Sequence, residues 1–215
     1  MVAWKAVIAN KPLFEKGDDM KCWLLVGTIF VASVFAGFAS KARAETYYEV
    51  AQGLLRNLPG DARLRGDLEA VIFAEANSYR SSKGIGTLKA SDQLQDAARA
   101  HAIDMMLNGF VGHKATTGQQ FESRMRSFVG NSLMMPRMAE NAARDTQKGE
   151  ANAGKARRLF QQWMKSRPHR KTLLNGSYSL VSTGVVQRGN KIWAVQIFFA
   201  PLPAGNNSIG SGGLY

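Results

Sequence analysis

The clearest periodic signal runs through QLQDAARAHAIDMMLNGF, residues 93–110, where Leu94, Ala97, Ala98, His101, Met105 and Met106 recur at the i, i+3, i+4, i+7 spacing of a helix. Ser91 and Asp92 offer N-caps, and Gly109 supplies a stop. Upstream, LRGDLEAVIFAEANSYRSSKG predicts a second amphipathic helix through Leu68, Val71, Ile72, Ala76 and Tyr79 that ends in Ser-Ser-Lys-Gly. QQFESRMRSFV reads as a short helical piece. The stretch from about Gly154 to Lys165 reads as a longer helix with Ala156, Leu159, Phe160 and Trp163 on one side, ended by Pro168. YSLVSTGVVQ and IWAVQIFFA are rich in β-branched and aromatic residues and flank Arg188-Gly189-Asn190-Lys191, which predicts a hairpin. Residues between Pro136 and Asn141 show no period and read as irregular. Residues 45–63 form a lead-in that is partly helical and broken at NLPGDA, the domain proper spans 64–201, and 202–215 is a glycine-rich flexible tail.

The amino terminus changes this picture. From Met20 the chain shows a lysine, an apolar run from Cys22 to Phe38, a short polar stretch, and Ala42-Arg43-Ala44, the parts of a secretory signal peptide cleaved near Ala44. Residues 20–44 are then the signal and 1–19 a non-native upstream start. The alternative is a membrane anchor formed by residues 22–38. Either way the protein is expected at or beyond the membrane, secreted or periplasmic after cleavage.

Composition then limits the chemistry. At 215 residues, 45% hydrophobic and 20% charged, the chain can bury a core of its own. Its only cysteine, Cys22, lies in the apolar run, so the mature form has neither disulfide nor thiolate. Net charge is +12; residues 1–44 hold six of the 28 cations and three of the 16 acids, so cleavage leaves +9. That surplus suits anionic envelope polymers, with no sign of specific nucleic-acid recognition. A monomer is expected.

Three polar residues stand just outside predicted elements: His113 in GFVGHK, Glu140 in MAENAA and His169 in SRPHRK. Their separations match no compact metal motif. Glu140-Asn141 also reads as a plain polar turn, His101 as a packed core histidine with one hydrogen bond, and Glu122 as a solvated helix charge that could approach a cleft. Met134, Met135 and Met138 fit core filling or a greasy groove, while Trp163 and Trp193 fit the core.

Taken in order, NSYRSSKGIGTLKASDQLQDAARAHAIDMMLNGFVGH, AENAA, FQQWMKSRPHRKTLLNGSY, TGVV and WAVQIFF resemble the bacterial branch of the CAP superfamily, or SCP domain, over about Leu68 to Pro201. The resemblance implies an α+β fold, a three-layer α-β-α sandwich with a central, largely antiparallel sheet. It also implies an open cleft lined by His113, Glu140 and His169, in which His113 and His169 are the ligands for a divalent metal such as zinc, with no cofactor required. Fuller family sites carry a second glutamate three residues after the helix tryptophan; here that position is Ser166, which remains a candidate ligand-binding residue. Pro168 replaces the glycine that precedes the second histidine.

The chemistry of these residues is coherent. Neutral imidazoles bind zinc or copper, Arg167, Arg170 and Lys171 are expected to keep His169 neutral, and Glu140 either orients an imidazole or acts as acid/base. No cysteine or GxSxG nucleophile accompanies them. Three functions follow: a binding module for a small ligand, lipids included, or a weakly held metal; a metal-assisted hydrolase or protease using the same cleft; or a basic protein that binds anionic envelope polymers. The first is the expectation, with the chain leaning away from being an enzyme.

Overall fold

The computed structural model describes residues 45–130 and 137–201. The apolar run at 22–38, the tail at 202–215, and Met134 and Met135 lie outside the described residues.

Helix α1, Tyr47–Arg56, begins at a capping box: Thr46 Oγ1 accepts from the Glu49 amide, and the Glu49 carboxylate accepts from the Thr46 amide. Strand β1, Ala62–Leu64, follows, then α2, Gly66–Ser82, and a two-residue strand β2, Lys89–Ala90. Helix α3 spans Gln95–Asn108 and stops at Gly109, whose φ of 69° is the left-handed C-cap that glycine adopts without penalty. Ser91 and Asp92 do not cap it. They shape the turn before it, where the Gln95 amide donates to the Asp92 carbonyl, and Leu94 takes the cap position with no side-chain bond. After α4, Phe121–Val129, come β3, Met138–Asp145, and α5, Ala153–Lys165, capped by Asn152. Pro168 does not simply end α5. Ser166 closes α5 and opens a further helix, α6, Arg167–Leu173, in whose first turn the proline ring is tolerated because no intrahelical donor is needed there. The hairpin forms as expected from β4, Leu180–Arg188, and β5, Lys191–Phe199.

The strands order as β1-β4-β5-β3, antiparallel throughout, with β2 added parallel to β4. Alternation along the strands divides the core into two. Val181, Val185, Ala194 and Phe198 pack with Leu68, Ile72, Leu159, Phe160 and Trp163 of α2 and α5. Val186, Trp193, Val195 and Ile197 pack with Ala98, Ala102, Met105 and Met125 of α3 and α4. This is an α-β-α sandwich.

The lead-in belongs to the packed body. Tyr47 and Ala51 of α1 are buried against Ala100 of α3, and β1 pairs with Val186–Arg188. Helix α3 is buried on nearly every side, which its alanines permit. At Gly184 the helix lies so near the sheet that a Cβ would sit 2.4 Å from Ala98 C and Arg99 N. Between β1 and β2 the β4 edge lacks a strand, and Glu69 fills the gap: its carboxylate accepts from the Val185 amide at 3.1 Å and pairs with Arg99 at 2.7 Å.

The irregular stretch expected before Asn141 is instead an eight-residue strand. Its sequence, MAENAARD, is poor in β-formers, but full registry with β5, from Met138 opposite Phe199 to Asp145 opposite Ile192, outweighs local preference.

Candidate functional site

The site assembles at β3, the strand at the end of the sheet, where both helical layers reach the same edge. Side chains alternate across a strand, so Glu140 faces the α3/α4 layer and Asn141 faces the α5/α6 layer. Each holds one histidine. Glu140 Oε1 lies 2.9 Å from His113 Nδ1, and Asn141 Nδ2 donates to the His169 carbonyl at 3.2 Å. His113 comes from the loop after α3 and His169 from the first turn of α6. Their rings approach edge to face with centroids 6.5 Å apart. The three residues expected to share a site are thus brought together, although the two histidines are far apart in the chain.

Beneath them lies a group the sequence reading missed. Arg124 of α4 is wholly buried and its Nη2 donates to both oxygens of Glu140, at 2.9 and 2.8 Å, and to the His113 carbonyl at 3.1 Å. The guanidinium also stacks over the rings of Tyr47 and Phe121, 5.4 and 5.6 Å from their centroids. A signal was present: Phe121, Arg124, Met125 and Phe128 follow the i, i+3, i+4, i+7 pattern, so the arginine lies on the apolar stripe of its helix. Glu122, weighed as a solvated helix charge that could approach the cleft, makes no hydrogen bond or ion pair among the described residues, yet its charge is near enough to help raise His113. His101 is buried and makes the single hydrogen bond expected of it, Nε2 to the Gly112 carbonyl at 2.8 Å. That bond anchors the residue before His113.

Electrostatics follow from this packing. Burial alone would push the Glu140 carboxyl up, but Arg124, the His113 bond and His101 together bring it below the ordinary carboxyl range. The hydrogen bond that His113 Nδ1 donates to Glu140 raises His113 above its usual value against the opposing effect of burial. Burial, and then the neighbouring His113, lower His169. The direction expected for His169 holds, but the cause differs: Arg170 turns away and donates to the Met164 carbonyl at 2.7 Å.

Ser166 and His169 line a groove of about 380 Å³ together with Val111, Ala143, Arg144, Gln162 and Trp163, while His113 and Glu140 stand outside its lining. Met138 packs against the α3/α4 core and takes no part in it.

This arrangement can be matched to known proteins. Residues 73–198 match the family described as Cysteine-rich secretory protein family, CAP. The chain belongs to this family. An uncharacterized Bacillus subtilis protein, YkwD, is 29% identical to the CAP chain over 129 residues, 60% of this chain and 46% of that protein, so the alignment spans less than half of the relative. Among solved structures, an outer surface protein from Borrelia burgdorferi is similar with a TM-score of 0.54 at 16% identity, covering 65% of this chain and 98% of that one. That likeness concerns the fold. An extracellular SCP-domain protein from Bacillus anthracis gives a TM-score of 0.48 at 25% identity, covering 60% of this chain and 39% of that one.

A divalent metal can be tested against the CAP cleft as built here. The donor chemistry fits in kind: one imidazole is kept neutral, and the other is oriented by a carboxylate through Nδ1, the usual outer-shell partner of a metal-bound histidine. Number and spacing fit less well. Imidazoles sharing one tetrahedral zinc, with Zn–N near 2.0–2.1 Å, have centroids roughly 5 Å apart, so the two rings, now 6.5 Å apart, must close by about 1.5 Å. Among the described residues no three His, Cys, Asp or Glu side chains converge as a ligand set.

Proposed function

We propose that this CAP protein is an exported binding module whose groove takes a small, partly apolar ligand beside Ser166 and His169, with a divalent cation held only weakly by the imidazoles of His113 and His169. The observation that carries this reading is the state of Glu140. Both its oxygens are bonded to Arg124, one also to His113, and the carboxyl is held ionised in a buried position. A carboxylate so fixed builds a site; a general acid needs a proton to give and a general base needs a free oxygen within reach of substrate. Ser166 stands where fuller sites carry a second acid, and it cannot supply that charge.

The groove supports a ligand of modest size. Its volume of about 380 Å³ falls in the range of small-molecule sites, roughly 300–1,000 Å³. Val111 and Trp163 give it apolar walls, while Ser166, Gln162, His169 and the Arg144 cation offer a few polar contacts. Export rests on the leader-like sequence ending at Ala44 and on the family's description as secretory.

Native mass spectrometry of the purified protein tests the reading. The expected result is a co-purifying small apolar molecule that is lost when His169 and Val111 are replaced together by bulkier or charged residues. Hydrolysis of peptide or ester substrates by the wild type, abolished in a His113→Ala, His169→Ala double variant, would establish the metal-assisted hydrolase instead.

A further inference from the structure

A second concavity, of about 530 Å³, lies at the hairpin end of the sheet, past the C-terminus of α3. Its wall is set by strand register. Arg144 pairs with Trp193, Trp193 with Val186, and Lys191 with Arg188. Residues paired or two apart along these strands share one face, so Arg144, Trp193, Arg188 and Lys191 all stand on the α3 side of the sheet, where α3 has already ended. Three exposed cations therefore surround a buried indole.

Their partners leave positive charge unspent. Arg144 donates to the Gly109 carbonyl at 2.9 Å, a neutral group. Arg188 pairs with Asp61 at 2.8 Å, the one acid in the lining. Lys191 has no partner among the described residues. The Trp193 Nε1–H is buried and also lacks a hydrogen-bond acceptor among them. A concavity of this size is larger than a bare inorganic ion requires and falls in the range of organic ligands. Its cationic rim excludes a purely apolar chain.

We propose that this concavity is a binding site for an anionic sugar unit, a saccharide ring carrying a carboxylate or phosphate, of the kind found along acidic envelope polymers. Lys191 and Arg144 meet the anionic group. The ring packs over the Trp193–Met106 floor, and the Gly189-Asn190 turn closes one end. A nucleic-acid duplex is a poorer fit, because its phosphates need cations spread along a track, whereas these converge on one hollow. Arg144 also lines the groove beside His169, whereas Lys191, Arg188 and Trp193 line this hollow alone.

The test uses glucuronate and glucose 6-phosphate as probes, with neutral glucose as control, added to the purified protein while the indole N–H of Trp193 is followed by NMR. Both anions should shift the Trp193 signal with a dissociation constant in the millimolar range or tighter, glucose should shift it far less, and the response should weaken with salt. Lys191→Glu should reduce the affinity for both anions by at least about fivefold; Lys191 lines this hollow but not the groove beside His169, so the substitution itself should leave the His113 and His169 signals unchanged. No Trp193 response to either anion at about 100 mM, equal response to glucose, or unaltered binding by Lys191→Glu overturns the proposal. A probe that shifts only the histidine signals overturns it too, while leaving the cleft reading intact.

Discussion

At the scale of single residues, Arg124 decides what Glu140 is. A buried carboxylate without its cation is costly, and removing one member of such a pair leaves the other uncompensated, an effect of about 3–5 kcal/mol. Arg124→Met should therefore lower stability by about that amount in chemical denaturation, whereas Glu122→Ala on the same helix should change it by less than about 0.5 kcal/mol. The imidazoles should also titrate in a fixed order. His113 should have its midpoint above the ordinary 6.5 and His169 below it, read from ring proton shifts. Glu140→Gln should bring the His113 midpoint down, because the bond to the carboxylate is the largest cause of its rise. The stability signs follow from linkage. Glu140, with its lowered value, contributes stability that is present above the unfolded carboxyl range and lost as pH falls through the folded value. His101, lowered by burial, acts in the same direction below 6.5, since the unfolded chain takes up the proton first. His113 is opposite: its contribution is complete below 6.5 and is lost as pH rises through its raised value. Denaturation midpoints across pH should thus fall on the acid side, with a smaller alkaline decline that Glu140→Gln removes.

At the scale of elements, β3 does two jobs because neighbouring side chains face opposite layers. Asn141→Ala should cost about 1 kcal/mol for the lost bond to the His169 carbonyl. It should also disturb the His169 signal while leaving the His113 midpoint in place, which separates the two halves of the site. Helix α3 depends on a close approach to the sheet. Gly184→Ala places a methyl against the Ala98 and Arg99 backbone, and a loss of about 1–3 kcal/mol or more is expected from overpacking. These elements also show where sequence was informative. Helices α3 and α5 and the β4–β5 hairpin carry strong periods and clear turn residues, so they were legible. Strand β3 was not, because its alanines and charges favour no strand until β5 supplies a partner. Helix α6 was hidden by Pro168, which reads as a stop yet fits a first turn. Of the site, the two histidines and Glu140 stood out by their places just outside predicted elements and were joined into one cleft through the family resemblance, while Arg124 escaped because a charge on an amphipathic helix is ordinarily solvated.

At the scale of the whole molecule, the sandwich brings one histidine from each helical layer to an exposed sheet end, and the buried Arg124–Glu140 pair holds that end in shape. The proposed binding role needs no moving proton. Zinc should bind weakly, more tightly as pH rises and His113 loses its proton, and Ala at either His113 or His169 should abolish the response in isothermal titration. The hairpin hollow shares Arg144 with the groove beside His169, but its Trp193 floor and Lys191 belong to it alone. Everything about the cleft turns on whether Glu140 carries a proton. Carboxyl carbon NMR of Glu140 across pH measures that directly. A midpoint below the ordinary 4.5 is the result expected of a fixed anion that builds a binding site; a midpoint raised toward neutrality would make Glu140 a proton donor and contradict the binding-module account.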